Sequence, residues 1–336
     1  MIVSYAPFER ALAFPFLYGN QEIKTRSGIC LRLEGEGGTF FSEASPLPGH
    51  SRENMAEVLA ALLKLSSEYC SAIVTDEDDP ADFFPPSLTF ALESLRALRA
   101  CKNKGGLAVR SNALVPSGGA DATLERIWAL KAEGFSTVKL KVLEGKTNDM
   151  LSLLEAIEGK GIQVRLDANR ALSEGSLKSF FAGLEKFSPA LIDYLEEPFA
   201  HWRHPLLERS PVALAADECA ADPRFWPAIL NQKTGPSVFV LKPTVSGGLY
   251  SLTEKALTLK EAGKRVVYTS ALETEPGRRA LIAYLSSAGL TATAGLATGF
   301  LFRENYLPDR PSWETVPDPS AAELSWLNDL PWVRVP

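Results

Sequence analysis

The stretch TVKLKVLEG at residues 137–145 decides how the rest of the chain is read. Val138, Leu140 and Val142 alternate with Lys139 and Lys141, the period of two that makes a β-strand with both lysines on one face. At the surface of an open sheet that face would simply meet water. In a strand covered on both sides it would carry two cations inward, where charge needs partners.

Seven further short runs accompany it: SNALV (111–115), QVRLDAN (163–169), LIDYLEE (191–197), VALAADE (212–218), VFVLKP (238–243), RVVYTSA (265–271) and TATAGL (291–296). Helical patterns separate them at a spacing of roughly 20 to 30 residues, as in repeated βα units of a closed parallel barrel. A doubly wound open sheet is the competing arrangement, and the lack of a G-x-G-x-x-G turn after the first run counts against it. The fold class expected is therefore α/β, with a TIM-like barrel over residues 105–300.

The first 104 residues have a different texture. CLRLEGEGGTFF (30–41) reads as an antiparallel hairpin, residues 52–67 as an amphipathic helix, and PSLTFALESLRALRACK (86–102) as a second helix. That is an α+β unit. Residues 301–336 carry prolines and tryptophans without another βα unit, and are expected to pack back on the first domain.

Composition narrows the functional classes. In 336 residues, 46% hydrophobic and 23% charged content is that of an ordinary soluble globular chain. A net charge of −6 without a basic stripe argues against nucleic acid. No apolar run approaches a membrane span, and the start lacks the basic, then apolar pattern of a signal peptide, so a cytoplasmic protein is expected. Cys30, Cys70, Cys101 and Cys219 show no paired spacing and read as free thiols. His201 and His204 in HWRH lack a third ligand for zinc, and Ser270 has no nucleophile-elbow context.

The chemistry collects where the strands stop. In order come Lys139 and Lys141, Asp167, Glu196 and Glu197, Asp217 and Glu218, then Lys242. Within QVRLDAN, Arg165, Asp167 and Asn169 share one face, and Val164, Leu166 and Ala168 the other. Helices cover the outside of a barrel, so the polar face should point in, and the same rule sends Lys139 and Lys141 inward. A single strand-end Asp often just caps the next helix. Asp167, Glu196 and Asp217 on three consecutive strands would instead repel one another unless a cation sat among them. An all-oxygen set suits Mg²⁺, with Mn²⁺ an alternative. The second and sixth barrel strands lie across the ring, so Lys141 and Lys242 would face each other. A lysine beside other cations loses proton affinity and becomes a usable base, which fits proton abstraction next to a carboxylate.

With KLK, RLDANR, LEEP, ADE and LKPTVSGG at these places, the chain resembles the enolase superfamily, in its muconate-lactonizing-like branch. Within that branch it most resembles the o-succinylbenzoate synthase family. The resemblance implies a (β/α)7β barrel with an N-terminal capping domain, to which SEASPLPGHS (42–51) and PSLTFALESL (86–95) would belong. It implies Mg²⁺ on Asp167, Glu196 and Asp217. Lys141 would be the base, Lys242 would stabilise the enediolate and Lys139 would tune Lys141. Thr269, Ser270 and Gly295 would contact the substrate, with Arg165 and Asn169 as further candidates on the inward face. FLYGNQEIKTRSG (16–28) would close over the site.

The activity implied is dehydration of 2-succinyl-6-hydroxy-2,4-cyclohexadiene-1-carboxylate in menaquinone biosynthesis. N-succinylamino acid racemases and dipeptide epimerases share the motifs, and a non-catalytic carboxylate-binding barrel is the alternative from another class. A small-molecule carboxylate is the partner expected, with neither nucleic acid nor membrane. The oligomeric state is not legible, a monomer being compatible. Cys219 stands where a serine commonly follows the glutamate, and Leu172 where an aromatic is frequent.

Overall fold

The computed structural model describes residues 1–18, 21–75, 84–102, 106–199, 202, 204–221, 235–290 and 292–336. His201, Gly19 and Asn20 of the expected closing loop, and Thr291 at the head of the last run lie outside the described residues.

An antiparallel sheet forms the N-terminal part: β1 (Ile2–Tyr18), β2 (Gln21–Gly35) and β3 (Gly38–Ala44). A short C-terminal strand, Val333–Arg334, joins it beside β1 through Ser4 and Tyr5. The hairpin read from residues 30–41 is the β2–β3 turn, where Gly37 and Gly38 take positive φ. The long β1 strand is missing from the sequence reading. Ala6, Phe8, Arg10 and Leu12 are buried in alternation with exposed Pro7, Glu9 and Ala11, but the proline and the buried arginine obscure that alternation. Residues 16–28, read as a loop, lie largely in the paired arms of β1 and β2. The single helix expected over 52–67 is two, Met55–Leu62 and Ser67–Thr75, the first opened by an Asn54–Glu57 capping box. Helix Pro86–Cys101 starts on proline and packs against β3.

The eight remaining runs form the barrel: β4 (Val109–Val115), β5 (Thr137–Lys141), β6 (Gln163–Asp167), β7 (Ile192–Glu196), β8 (Leu214–Ala216), β9 (Val238–Leu241), β10 (Arg265–Tyr268) and β11 (Ala294–Ala297). They pair in parallel in the order β10-β9-β8-β7-β6-β5-β4-β11, and a parallel bridge from Thr269 to Gly295 joins the two ends. The outward residues Val138, Leu140, Val164, Leu166 and Leu195 are buried under helices, while Lys139, Lys141 and Asp167 are only partly so. The lysine face of 137–145 thus points into the barrel.

Buried polar contacts fix the N-terminal sheet over the strand ends. Arg26, fully buried, donates to the carbonyls of Leu272 (3.0 Å), Pro46 (2.9 Å) and Ser45 (2.7 Å). Glu43 accepts from the Thr274 amide at 3.0 Å, and Arg10 pairs with Glu275 at 3.1 Å. On the far side Arg279 holds Glu323 of helix Ala321–Asn328 in a two-point pair at 2.7 and 2.6 Å. All four cysteines are free thiols. Among the described residues no single helix is long and apolar enough to cross a membrane.

Candidate active site

A cavity of about 380 Å³ opens at the C-terminal ends of the barrel strands. Lys139, Lys141, Asp167, Asn169, Asp217 and Lys242 line one half, and Asn112, Thr269, Ser270, Gly295 and Thr298 the other. Phe14, Pro15 and Phe16 of β1 roof it, at the place where the β1–β2 register shifts between Ala11 and Phe16. The bulge is what lets the strand leave its partner and lean over the mouth.

The acidic residues arrive by register. Lys141 lies opposite Asp167, Asp167 opposite Glu196, and Glu196 opposite Ala215, two residues before Asp217. Even spacing along β8 keeps Asp217 on the face of Glu196. Lys139 Nζ sits between two of them, 2.8 Å from Asp167 Oδ2 and 2.7 and 2.8 Å from the Glu196 oxygens. Lys242 Nζ pairs with Asp217. Glu196 is fully buried.

Electrostatics follow from this crowding. Burial, reinforced by Asp167 and opposed by Lys139, holds the Glu196 carboxyl well above its ordinary range. Burial would raise Asp217 too, but Lys242, then His50 and Lys139, outweigh it and hold Asp217 low. Burial works against both ammonium groups, yet Asp167 and Glu196 keep Lys139, and Asp217 keeps Lys242, above the usual lysine value. The expectation of depressed proton affinity concerns a lysine beside a bound cation, and Lys242 here meets a carboxylate first. Its carboxylate partner, not a neighbouring cation, dominates.

The donor set fits a hard divalent cation. Three carboxylates on one face of adjacent strands supply oxygen only, and the Asp167 charge adds to the burial that raises Glu196. Among the described residues no three acidic, histidine or cysteine side chains are drawn into one cluster, and the lysine ammonium groups pair with the acids. A cation entering here would exchange with those ammonium contacts.

The remaining candidates divide. Asn169, with φ of 43°, donates its amide to Asp167 Oδ1 at 3.1 Å and lines the cavity. Thr269, Ser270 and Gly295 meet on the opposite wall, the Ser270 amide bonding the Gly295 carbonyl at 2.9 Å. Arg165 points inward but does not line the cavity: its guanidinium is taken by Asp193 (2.8 Å), Asn112 (2.7 Å) and the Thr293 carbonyl (2.8 Å). It lies one side-chain layer below Asp167, where it holds Asn112.

Sequence reasoning took Glu196 and Asp217 from the acid pairs and gave Glu197 and Glu218 no role. Glu197, fully buried at φ of 40°, accepts from the amides of Asp217 (2.9 Å) and Cys219 (3.1 Å) and from Arg170 Nε (2.8 Å). It thereby sets where Asp217 starts. Cys219 receives Arg170 Nη2 at 2.8 Å, and burial pushes its thiol up to about 12. Burial first, then Asp217 and Glu197, lifts Glu218 to about 8. Parity was the available signal, because Glu197 and Glu218 are each one residue off the inward face of Glu196 and Asp217. His50 was also missed. It comes from the loop after β3, and burial, then the Lys242 charge, lowers it to about 4.

Residues 122–316, more than half the chain, match the model of the enolase C-terminal domain-like family. The chain belongs to this family. The o-succinylbenzoate synthase of Pectobacterium atrosepticum is 28% identical over 283 residues, covering 83% of this chain and 80% of that one. A solved o-succinylbenzoate synthase from Thermosynechococcus elongatus, with Mg in its active site, superposes with a TM-score of 0.75 at 24% identity, covering 98% of this chain and all of the other. The L-Ala-D/L-Glu epimerase of Bacillus subtilis superposes with a TM-score of 0.74 at 18% identity, covering 95% and 96%. Enolase-family architecture, barrel and N-terminal sheet together, is therefore common to neighbours of different activity.

Proposed function

We propose that this protein is an o-succinylbenzoate synthase, a lyase that dehydrates 2-succinyl-6-hydroxy-2,4-cyclohexadiene-1-carboxylate to 2-succinylbenzoate. The observation that carries the reading is the charged half of the cavity: Lys141 on β5 and Lys242 beyond β9, with Asp167, Glu196 and Asp217 on the strands between. Asp167, Glu196 and Asp217 would hold Mg²⁺, or Mn²⁺ in its place. When bound, the ion would neutralise charge developing on the substrate carboxylate.

Lys141 would take the proton next to that carboxylate, and the C–H electrons move into the carboxyl group. The Lys242 ammonium, at the other end of the charged half, offsets the second negative charge. The electrons then return to expel the ring hydroxyl, which leaves as water with the proton Lys141 had taken. Aromatisation of the ring drives this second step. Lys139, beside Asp167 and Glu196 on the same face of β5 as Lys141, would stay charged and tune Lys141.

The charge balance bears on the substrate. Asp167 and Asp217 are the only carboxylates lining the cavity among the described residues, and both already pair with lysines. An anionic substrate without a free ammonium suits that lining better than a dipeptide does. An N-succinylamino acid, whose nitrogen is acylated, suits it equally, so racemisation of such compounds is the second reading. On the first reading the protein serves menaquinone biosynthesis in the cytoplasm, with a small carboxylate as its only required partner.

Purified protein with Mg²⁺ and the cyclohexadiene substrate, followed by ultraviolet absorbance, tests it: metal-dependent formation of the aromatic product is expected. No substrate loss, together with deuterium exchange at the α-carbon of N-succinylamino acids, would establish the racemase instead. Ligand binding with neither reaction would leave the non-catalytic barrel.

A further inference from the structure

Behind the uncharged wall of the cavity lies a carboxylate that the proposed chemistry does not use. Glu273 is fully buried, in the turn between β10 and helix Glu275–Ser287. One of its oxygens accepts from the Ala271 amide at 2.8 Å and from the Ser270 hydroxyl, and the other accepts from the Thr244 hydroxyl. Thr244 is two residues beyond Lys242, in a short turn whose Val245 and Ser246 amides bond back to the Lys242 carbonyl, both at 2.9 Å. A single carboxylate thus ties the backbone that follows Lys242 to the rim that carries Thr269 and Ser270.

Three details show that the tie is tight. The Ser270 hydroxyl gives its proton to Glu273, while its oxygen accepts from the Leu272 amide at 3.1 Å and from Thr298 Oγ1 at 3.2 Å, which exhausts its capacity. Leu272 holds φ of 62°, a costly conformation for a residue with a branched side chain, and Arg26 grips its carbonyl at 3.0 Å. A Cβ at Gly277 would come within 2.7 Å of Glu273 Cβ, so the glutamate stem packs against the helix backbone at a position where only glycine fits.

We propose that Glu273 is a positioning residue that clamps the Lys242 turn to the Thr269–Ser270 rim and so sets the gap between the Lys242 ammonium and the uncharged wall. Ser270 then faces substrate with no hydroxyl proton to offer, and its part is to hold the wall. The kinetic consequence rests on the lyase reading, but the clamp itself is a property of the apoprotein and is tested separately.

Amide hydrogen exchange on wild type and Glu273→Ala reads the clamp without substrate. Peptides covering 242–248 and 269–272 are expected to exchange faster together in the variant. Loosening of 269–272 with 242–248 unchanged would overturn the proposal. If wild type turns over the cyclohexadiene substrate, Glu273→Ala is expected to lower kcat about 30-fold, as for a small misplacement of a reacting group, with KM changed less than about threefold.

Glu273→Gln, which keeps one acceptor for Ser270 and Ala271 and a polar contact to Thr244, should recover most of that loss. Wild-type kcat in folded Glu273→Ala would contradict the clamp, whereas absence of turnover in wild type would contradict only the lyase reading. If Glu273→Ala does not fold, Thr244→Val removes just the link to the Lys242 turn. It should speed exchange in 242–248, and unchanged exchange there would overturn the proposal.

Discussion

The two halves of the barrel mouth are built on different principles. From β5 to the end of β9 the wall is charged, with Lys139, Lys141, Asp167, Asp217 and Lys242 lining it and Glu196 buried beside Asp167. From β10 through β11 to β4 it is uncharged, made of Thr269, Ser270, Gly295, Thr298 and Asn112 with apolar neighbours. Charge in a barrel interior is costly unless it is paired, so the first half advertises its chemistry. The second half supplies shape and hydrogen bonds, and those depend on atomic placement. On the proposed function, reaction type would belong to one wall and choice of substrate to the other.

Substitutions can break that division. The largest effect is expected from Lys141→Ala, which should lower kcat by about 10³-fold or more while isothermal titration still detects Mg²⁺. Loss of Mg²⁺ binding with the base would mean that Lys141 supports the acids instead. Asp217→Asn comes next, and titration should show metal affinity reduced by about 10²-fold. On the uncharged wall, Thr298→Val should change kcat/KM by about three- to tenfold, chiefly through KM, as loss of one hydrogen bond would. An effect as large as that of Lys141→Ala would erase the distinction between the walls.

The smallest effect concerns pH. Glu93, on the buried face of helix Pro86–Cys101, accepts from the Tyr250 amide at 2.7 Å, and burial lifts its carboxyl to about 7. A carboxyl raised on folding keeps its proton in the native state after the unfolded chain has released it. Its stabilising contribution is full below the unfolded value and is lost as pH rises toward 7. Thermal melting should therefore fall between pH 5 and pH 7.5 more steeply in wild type than in Glu93→Gln. Identical slopes would show that Glu93 stays ionised throughout.

The same contrast explains what could be read in advance. Strand alternation and charge at strand ends were enough for the eight barrel strands and for the inward lysines, because both follow from a period of two. Depth was not readable: Arg165 and Asp167 share a face, yet two residues along a strand is about 6.7 Å, enough to put one in the mouth and the other in the floor. Nor was β1, where Pro7 and buried Arg10 interrupt the apolar pattern. The clamp at Glu273 depends on contacts between residues 29 apart and three apart, which no local pattern records.

The most direct test is conversion of 2-succinyl-6-hydroxy-2,4-cyclohexadiene-1-carboxylate, followed by absorbance for wild type and Lys141→Ala with and without Mg²⁺. Aromatic product from wild type only when Mg²⁺ is present, and essentially none from the variant, is the expected result. Equal rates from the two proteins, or turnover indifferent to the metal, would contradict a lysine base working beside a carboxylate-held cation.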